Sequence, residues 1–324
     1  MKTTHNPDRR DVLRRLAVAG AMLGGLGVAG KLLHNRPSLP EEEVVTLPKF
    51  NVELPSANPR MVVARGQDHA ALVKAAIDRL GGISAFIFPG DTVVVKPNVG
   101  FDRSPKLGAT SSPEVVGAVL ELCRQARAGK IIVCDNPINS PEGSFKKSGI
   151  AQVAEKYGAT VMLPRPHYFH TLRVGGVVLK DWSFFWAPFA KADKVIGIPT
   201  VKDHNLCKAS LTMKNWYGLL GGGRNRFHQS IHEIVADLAM MMTPTLVVMD
   251  GSRLLMKNGP TGGTLADVKP GDTIVAGTDQ VAIDAFGIQL IDRNPDDFAY
   301  IQMAHERGIG NKNWKDLAPP EITV

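Results

Sequence analysis

From residue 60 onward the chain alternates between short apolar runs and longer stretches with helical spacing. Met61 to Arg65 predicts a strand, and His69 to Leu80 a helix closed by Gly81-Gly82. Thr92-Val93-Val94-Val95-Lys96 is a continuous β-branched run, the pattern of a strand buried on both faces, and Pro97 ends it. Ser112-Pro113 marks a helix start, with Val116, Val119, Leu120 and Cys123 on one stripe and Gly129 as the stop. Lys130 to Asp135 is the next buried strand. The same rhythm predicts a helix over about 145–157, then strands at 160–163 and 194–198. A helix over about 229–242 follows, then strands at 245–250 and 273–276 and helices over about 280–292 and 296–307.

Strands alternating with helices imply βαβ units. The expected fold is a three-layer α/β domain, its mostly parallel sheet covered by helices on both faces. In such a sheet the ligand crevice lies beyond the carboxyl ends of the strands. The residues placed there are Lys96 and Asn98, Asp135 and Asn136, Lys202 and His204, Asp250, and Asp279.

Two stretches stand outside the rhythm. Residues 36–59 carry five prolines and the acidic run Glu41–Glu43, the composition of an extended linker. In residues 1–35, Asp8-Arg9-Arg10-Asp11-Val12-Leu13-Arg14 precedes an uncharged apolar run from Leu16 to Gly30. That order reads as an export signal, and the paired arginines resemble a bacterial twin-arginine (Tat) signal. The expectation is a soluble body, residues 60–324, exported to the periplasm or cell surface with the Tat machinery as a partner. The apolar run falls short of the roughly 20 residues that span a bilayer. An uncleaved signal would still serve as an N-terminal membrane anchor.

Charge changes meaning once it is located. The chain has 38 Lys+Arg against 31 Asp+Glu, a balance of +7 that invites a nucleic-acid partner. Residues 1–36 hold seven of the basic residues and two of the acidic ones, leaving 31 basic and 29 acidic in the rest. The body is almost neutral, and no nucleic-acid partner is expected. Cys123, Cys134 and Cys207 are scattered without a CxxC pair, so the chain has no intrinsic iron–sulfur cluster motif and no four-cysteine zinc motif.

The chemistry concentrates between Pro199 and His228. Lys202, His204, Lys214, Asn215, Gly221, Gly222, Gly223, Arg224 and His228 fall within thirty residues. Glycines let backbone N–H groups converge on an anion, and Lys and Arg add charge, so this reads as a phosphate or carboxylate cradle. It is equally the pattern of a flexible turn with solvated basic residues. His228 and His232 are four apart, which on a helix puts both imidazoles on one face and makes a metal ion a candidate. Asp279 is placed to cap a helix. Asp284 sits among apolar neighbours and is expected to pair with a lysine of the basic segment. Trp182, Phe184, Phe185, Trp186 and Phe189 predict a hairpin packed on the core, the alternative being an aromatic lid.

Several of these motifs together resemble the domain-of-unknown-function family 362. They are Lys96-Pro97-Asn98, Lys202-x-His204, Met213-Lys214-Asn215 with the glycines that follow, Asp250 with Gly259-Pro260-x-Gly262-Gly263, and Asp279 to Asp284. The resemblance covers roughly residues 60–293. Some members of that family carry ferredoxin-type clusters, for which this chain has no cysteine pattern. The spacing of His204, Lys214 and His228 is also similar to that of lactate racemases. That likeness implies a cofactor held by Lys214, a metal on His228 and a proton moved by His204, but the loop after Asp135 lacks the second histidine it calls for.

The resulting expectation is an exported α/β enzyme, its chemistry open between redox and isomerisation, binding a small anionic ligand or cofactor. Lys96, Asn98, Lys202, Asn215, Gly221, Gly222, Arg224 and Asp250 would bind the ligand, and His204, Lys214 and Asp284 would act on it. A non-catalytic exported binding or assembly protein and a metal-dependent racemase-like enzyme are the alternatives.

Overall fold

The β-branched runs form the centre of a large sheet. The computed structural model describes residues 44–324 and, ahead of them, the helical positions 10, 13, 14, 17, 18 and 20. The remainder of the expected signal, and the linker before Val44, lie outside the described residues. Residues 44–324 form one unit. It begins with β1 (Val44–Val45), β2 (Met61–Arg65), α1 (His69–Arg79) and β3 (Thr92–Pro97). Next come α2 (Pro113–Gln125), β4 (Lys130–Cys134), α3 (Pro141–Lys147), α4 (Ile150–Lys156) and β5 (Thr160–Met162). After β6 (Phe169–Arg173), β7 (Asp181–Phe185) and β8 (Lys194–Ile198), the chain forms β9 (Thr200–His204), β10 (Lys208–Ser210) and the short α5 (Thr212–Asn215). It ends with α6 (Ile231–Met241), β11 (Leu246–Leu255), β12 (Val268–Gly277), α7 (Gln280–Leu290), α8 (Ala299–Glu306) and β13 (Glu321–Thr323).

The main sheet runs β13-β2-β12-β11-β8-β3-β4-β5, with β9 beside β11 and β10 beside β9. Its pairs are parallel except those of β12 with β2 and β11, and of β10 with β9. Successive side chains on each strand face opposite layers. Val93, Val95, Ile131, Val133, Ile196 and Ile198 pack with the apolar faces of α1, α2 and α4. Val94, Ile132, Cys134, Val195, Val247 and Met249 pack with α6, α7, α8 and the aromatic hairpin. The fold is the expected α/β sandwich of helices on a mostly parallel sheet. Among the described residues no helix is long and apolar enough to cross a membrane.

The topology fixes where a ligand can sit. From β3 the chain steps outward to β4 and β5, then returns to pair β8 with the other side of β3. Strand order reverses at β3, and a crevice opens at such a point beyond the strand ends.

Several elements differ from their sequence pattern. The helix over 145–157 is two helices, broken at Gly149, which adopts φ 79°. The helix ending near Gly129 stops earlier, where Arg127 turns left-handed at φ 60°. Strand β11 continues past a bulge at Gly251–Arg253. The proline-rich stretch is docked from Val44 onward. Val44 pairs with Thr171, Phe50 is buried, and Phe50 N–H donates to Thr243 O (3.0 Å). The aromatic run is strand β7, antiparallel to β6, with Phe184 and Phe185 in the core.

Candidate functional site

Alternation along β9 determines what enters the crevice. Lys202 and His204 are two residues apart and share a face, while Asp203 points the other way to pair with Arg293 and accept from Gly259 N–H (2.9 Å). Lys96 comes from the end of β3, and Asp135 from just beyond β4. Lys214 and Asn215 come from α5. These side chains meet around a cavity of about 280 Å³, also lined by Asn98, Phe101, Asn136, Tyr217, Arg224 and His228.

The walls separate into a paired half and an unpaired half. In the paired half, Lys96 Nζ lies 2.9 Å from Asp135 Oδ1 and donates to Asn215 Oδ1 (2.8 Å) and Pro97 O (2.9 Å). Asp135 also accepts from Val99 N–H (2.7 Å) and Asn136 N–H (2.9 Å). Asn98 Nδ2 donates to Asn215 Oδ1 (3.1 Å). Burial pushes the Lys96 ammonium down, and the Asp135 carboxylate works against that.

In the other half, Lys202 Nζ donates, among the described residues, only to neutral oxygens, Ala109 O (2.6 Å) and Asn98 Oδ1 (3.1 Å). Lys214 Nζ lies 3.8 Å from the centre of the Tyr217 ring, with no hydrogen-bond acceptor or carboxylate among the described residues. Burial lowers Lys202 to about 7, and the charges of Lys214 and Lys96 add to the effect. Burial likewise lowers Lys214 to about 8. Lys96, Lys202, Lys214 and Arg224 line the cavity against one carboxylate, Asp135.

His204 is held as a neutral imidazole. Its Nδ1 accepts from Leu206 N–H (3.1 Å) and Cys207 N–H (3.4 Å), so Nε2 carries the proton. Burial and the nearby Lys214 and Lys202 lower its pKa to about 3. At neutral pH it is a hydrogen-bond donor rather than a base. The His228 ring, also at the cavity, stacks on Tyr217 with ring centres 5.4 Å apart, and burial also pushes its pKa down.

Several expected roles are revised. Asp284 is buried, but its partners are backbone amides: Thr212 N–H (2.8 Å) and Met213 N–H (2.9 Å). It anchors the start of α5 and so positions Lys214 and Asn215; it does not line the cavity. A carboxylate suits a helix N-terminus, which is why this acid resides among apolar neighbours without a lysine. Asp250 accepts from Ser112 N–H (2.6 Å) and from Ser252 N–H (3.1 Å) and Oγ (2.6 Å), tying β11 to the start of α2. Its oxygens are consumed away from the cavity.

Gly221 and Gly222 line a neighbouring cleft of about 520 Å³, not the lysine cavity. The Gly221 N–H is committed to Ser183 O (2.8 Å), and a Cβ there would sit 2.6 Å from Phe169 and Ser183. Arg224 does reach the cavity, but its guanidinium donates to the carbonyls of Tyr217 (3.2 Å), Leu220 (2.9 Å) and Asn136 (2.9 Å), stapling this wall together. His228 and His232 do not share a helix face. Arg224–Ser230 is a 3-10 stretch, α6 starts at Ile231, and His232 stacks on Tyr300. Among the described residues no cluster of three or more His, Cys, Asp or Glu is arranged to hold a metal. The three cysteines are free and buried. Tyr217 and Phe101 were not singled out from the sequence. Phe101 lies just past β3, where the strand-end rule would have found it.

Comparison with known proteins agrees with the motif pattern. Residues 93–289 match the family described as Domain of unknown function (DUF362). The chain belongs to this family. A thylakoid-associated protein of Synechocystis sp. is 26% identical over 242 residues, 69% of this chain and 70% of that protein. Among solved structures, the lactate racemase apoprotein from Thermoanaerobacterium thermosaccharolyticum aligns with a TM-score of 0.40 and 11% identity. That alignment covers 82% of this chain and 61% of the racemase, so the chain spans less than two thirds of its length.

Proposed function

We propose that this protein is an enzyme whose substrate is a small, multiply charged anion bound in the lysine cavity. The observation that carries the reading is the pair Lys202 and Lys214, buried and facing a cavity without a carboxylate partner among the described residues. A buried ammonium without a counter-charge is costly. A ligand bearing two or more negative charges would supply what the fold omits. Lys202 and Asn98 would orient one anionic group, and His204 Nε2–H would donate to another. Lys214, with a pKa of about 8, exchanges its proton near neutral pH, which suits general acid–base chemistry and favours isomerisation over electron transfer.

Titration calorimetry with malonate and with inorganic phosphate tests this reading. Binding of either dianion, weakened at least tenfold by Lys202→Met, is the expected result. Equal binding by wild type and Lys202→Met would refute it.

We further propose export by the twin-arginine route, supported by Arg9-Arg10 and the apolar run after them. The thylakoid association of the Synechocystis relative is compatible with work at or across a membrane. Replacing Arg9-Arg10 with two lysines should retain the protein in the cytoplasm on cell fractionation. Unchanged export would end that part of the proposal.

A further inference from the structure

The anionic-ligand reading leaves one side chain unexplained. A lysine that only neutralises an anion gains from hydrogen bonds that hold its Nζ in place, as Lys202 has. Lys214 has none among the described residues. Its stem is buried, and its nitrogen lies over the face of Tyr217 at the cavity wall. The Tyr217 ring is itself fixed, its OH donating to Arg224 O (2.6 Å) and its ring stacked with that of His228. The amine therefore has a defined position and no acceptor occupying its lone-pair direction.

We propose that Lys214 is a nucleophile that forms an imine with the carbonyl carbon of an anionic oxo acid or aldehyde bound in this cavity. The inference rests on the anionic-ligand reading and names the class of that ligand. In the step, the Lys214 nitrogen attacks the carbonyl carbon and the C=O electrons move to oxygen. The oxygen takes up the two protons lost from nitrogen and leaves as water, so one C=N bond replaces one C=O bond with no change in oxidation state. Lys202 holds the carboxylate or phosphate of the ligand. His204 Nε2–H donates to the carbonyl oxygen and polarises it for attack. Asp284 acts as a positioning residue, fixing the α5 turn that carries Lys214.

The free-amine fraction supports this role. Lys214 titrates at about 8, whereas an ordinary lysine titrates near 10.4, so near neutral pH it holds on the order of a hundredfold more free amine than a surface lysine. That difference lets one lysine be identified among many.

The purified full chain is incubated near pH 7.5 with pyruvate, glyoxylate or pyridoxal 5′-phosphate, then reduced with cyanoborohydride and analysed by intact mass and peptide mapping. One adduct on Lys214, suppressed by excess inorganic phosphate and lost in Lys214→Arg, is expected. Labelling spread over surface lysines, or unchanged in Lys214→Arg, overturns the proposal. So does the absence of any adduct. If malonate and phosphate still bind when no adduct forms, the imine fails and the anionic-ligand reading stands. If they do not bind either, both fail. Thermal unfolding of Lys214→Arg, compared with wild type, separates loss of the nucleophile from loss of the fold.

Discussion

Lys96 and Lys214 are two buried lysines lining the same cavity, and the protein treats them differently. Lys96 has a carboxylate, a side-chain amide and a carbonyl around its ammonium. Lys214 has an aromatic face. The first arrangement is complete without a ligand and belongs to the architecture. The second is incomplete, and incomplete charge in a buried place signals chemistry. The contrast also distinguishes the strand-end elements from the β9–α5 segment. Around β3 and β4 the polar atoms are satisfied by protein, while the segment from Lys202 to Lys214 presents donors to the cavity.

The strongest challenge to that contrast is to remove the partner that makes Lys96 complete. Asp135→Ala leaves Lys96 buried and unpaired, and should cost about 3–5 kcal/mol in denaturant unfolding. A loss below about 1 kcal/mol would show that Asp135 does not hold this corner. Gly218 supports the same pair, because an added Cβ would collide with the Asp135 carboxylate and lie 2.9 Å from Lys96 Nζ.

Next in size is the anchor beneath Lys214. Asp284→Ala strands the buried N–H groups of Thr212 and Met213 and should cost about 2–4 kcal/mol. Ligand affinity should fall with it, since α5 carries Lys214 and Asn215. Unchanged stability would remove Asp284 from its positioning role.

Lys214→Met sharpens the comparison from the other side. Replacing an uncompensated buried cation with an apolar side chain of similar length should leave stability unchanged or raise it by about 1 kcal/mol. Dianion binding should nonetheless fall at least tenfold. Lys96→Met should do the reverse to stability, because it strands Asp135. Equal stability changes in the two variants would erase the distinction.

Much of the fold was legible because burial on both faces writes itself into the sequence. The runs at 92–96, 130–135 and 194–198 became β3, β4 and β8. The β9–β10 hairpin was not legible. Its residues Lys202, Asp203, His204 and Lys208 are polar, and the pairing that makes it a strand is long-range. At the site, the strand-end rule found Lys96, Asn98, Asp135, Lys202 and His204 from topology alone. Asp250 and Asp284 were misassigned because their oxygens are consumed by backbone amides distant in sequence. His228 and His232 looked like one helix face because spacing cannot show where a 3-10 stretch gives way to an α-helix.

The same two lysines set a pH dependence of stability. Lys202 and Lys214 have folded pKa values of about 7 and about 8, below the roughly 10.4 of an unfolded lysine. The unfolded chain therefore binds more protons between those values, and these two groups make stability rise with pH from about 7 toward 10. Asp284, raised to about 7 by burial, contributes in the opposite direction between about 4 and 7, where the native state holds the proton. Thermal unfolding should show the alkaline rise in wild type and a flatter curve in the Lys202→Met, Lys214→Met double variant. The same slope in both proteins would contradict it.

The central claim is that two buried lysines are poised for an anion the protein does not itself provide. Direct titration of the lysine ammonium groups by NMR, with 13C at the ε-carbon, tests it without knowledge of the ligand. The account predicts two resonances titrating near pH 7 and pH 8, absent respectively in Lys202→Met and Lys214→Met, and both moved upward by saturating malonate. A wild-type protein in which every lysine titrates near 10.4 would contradict it.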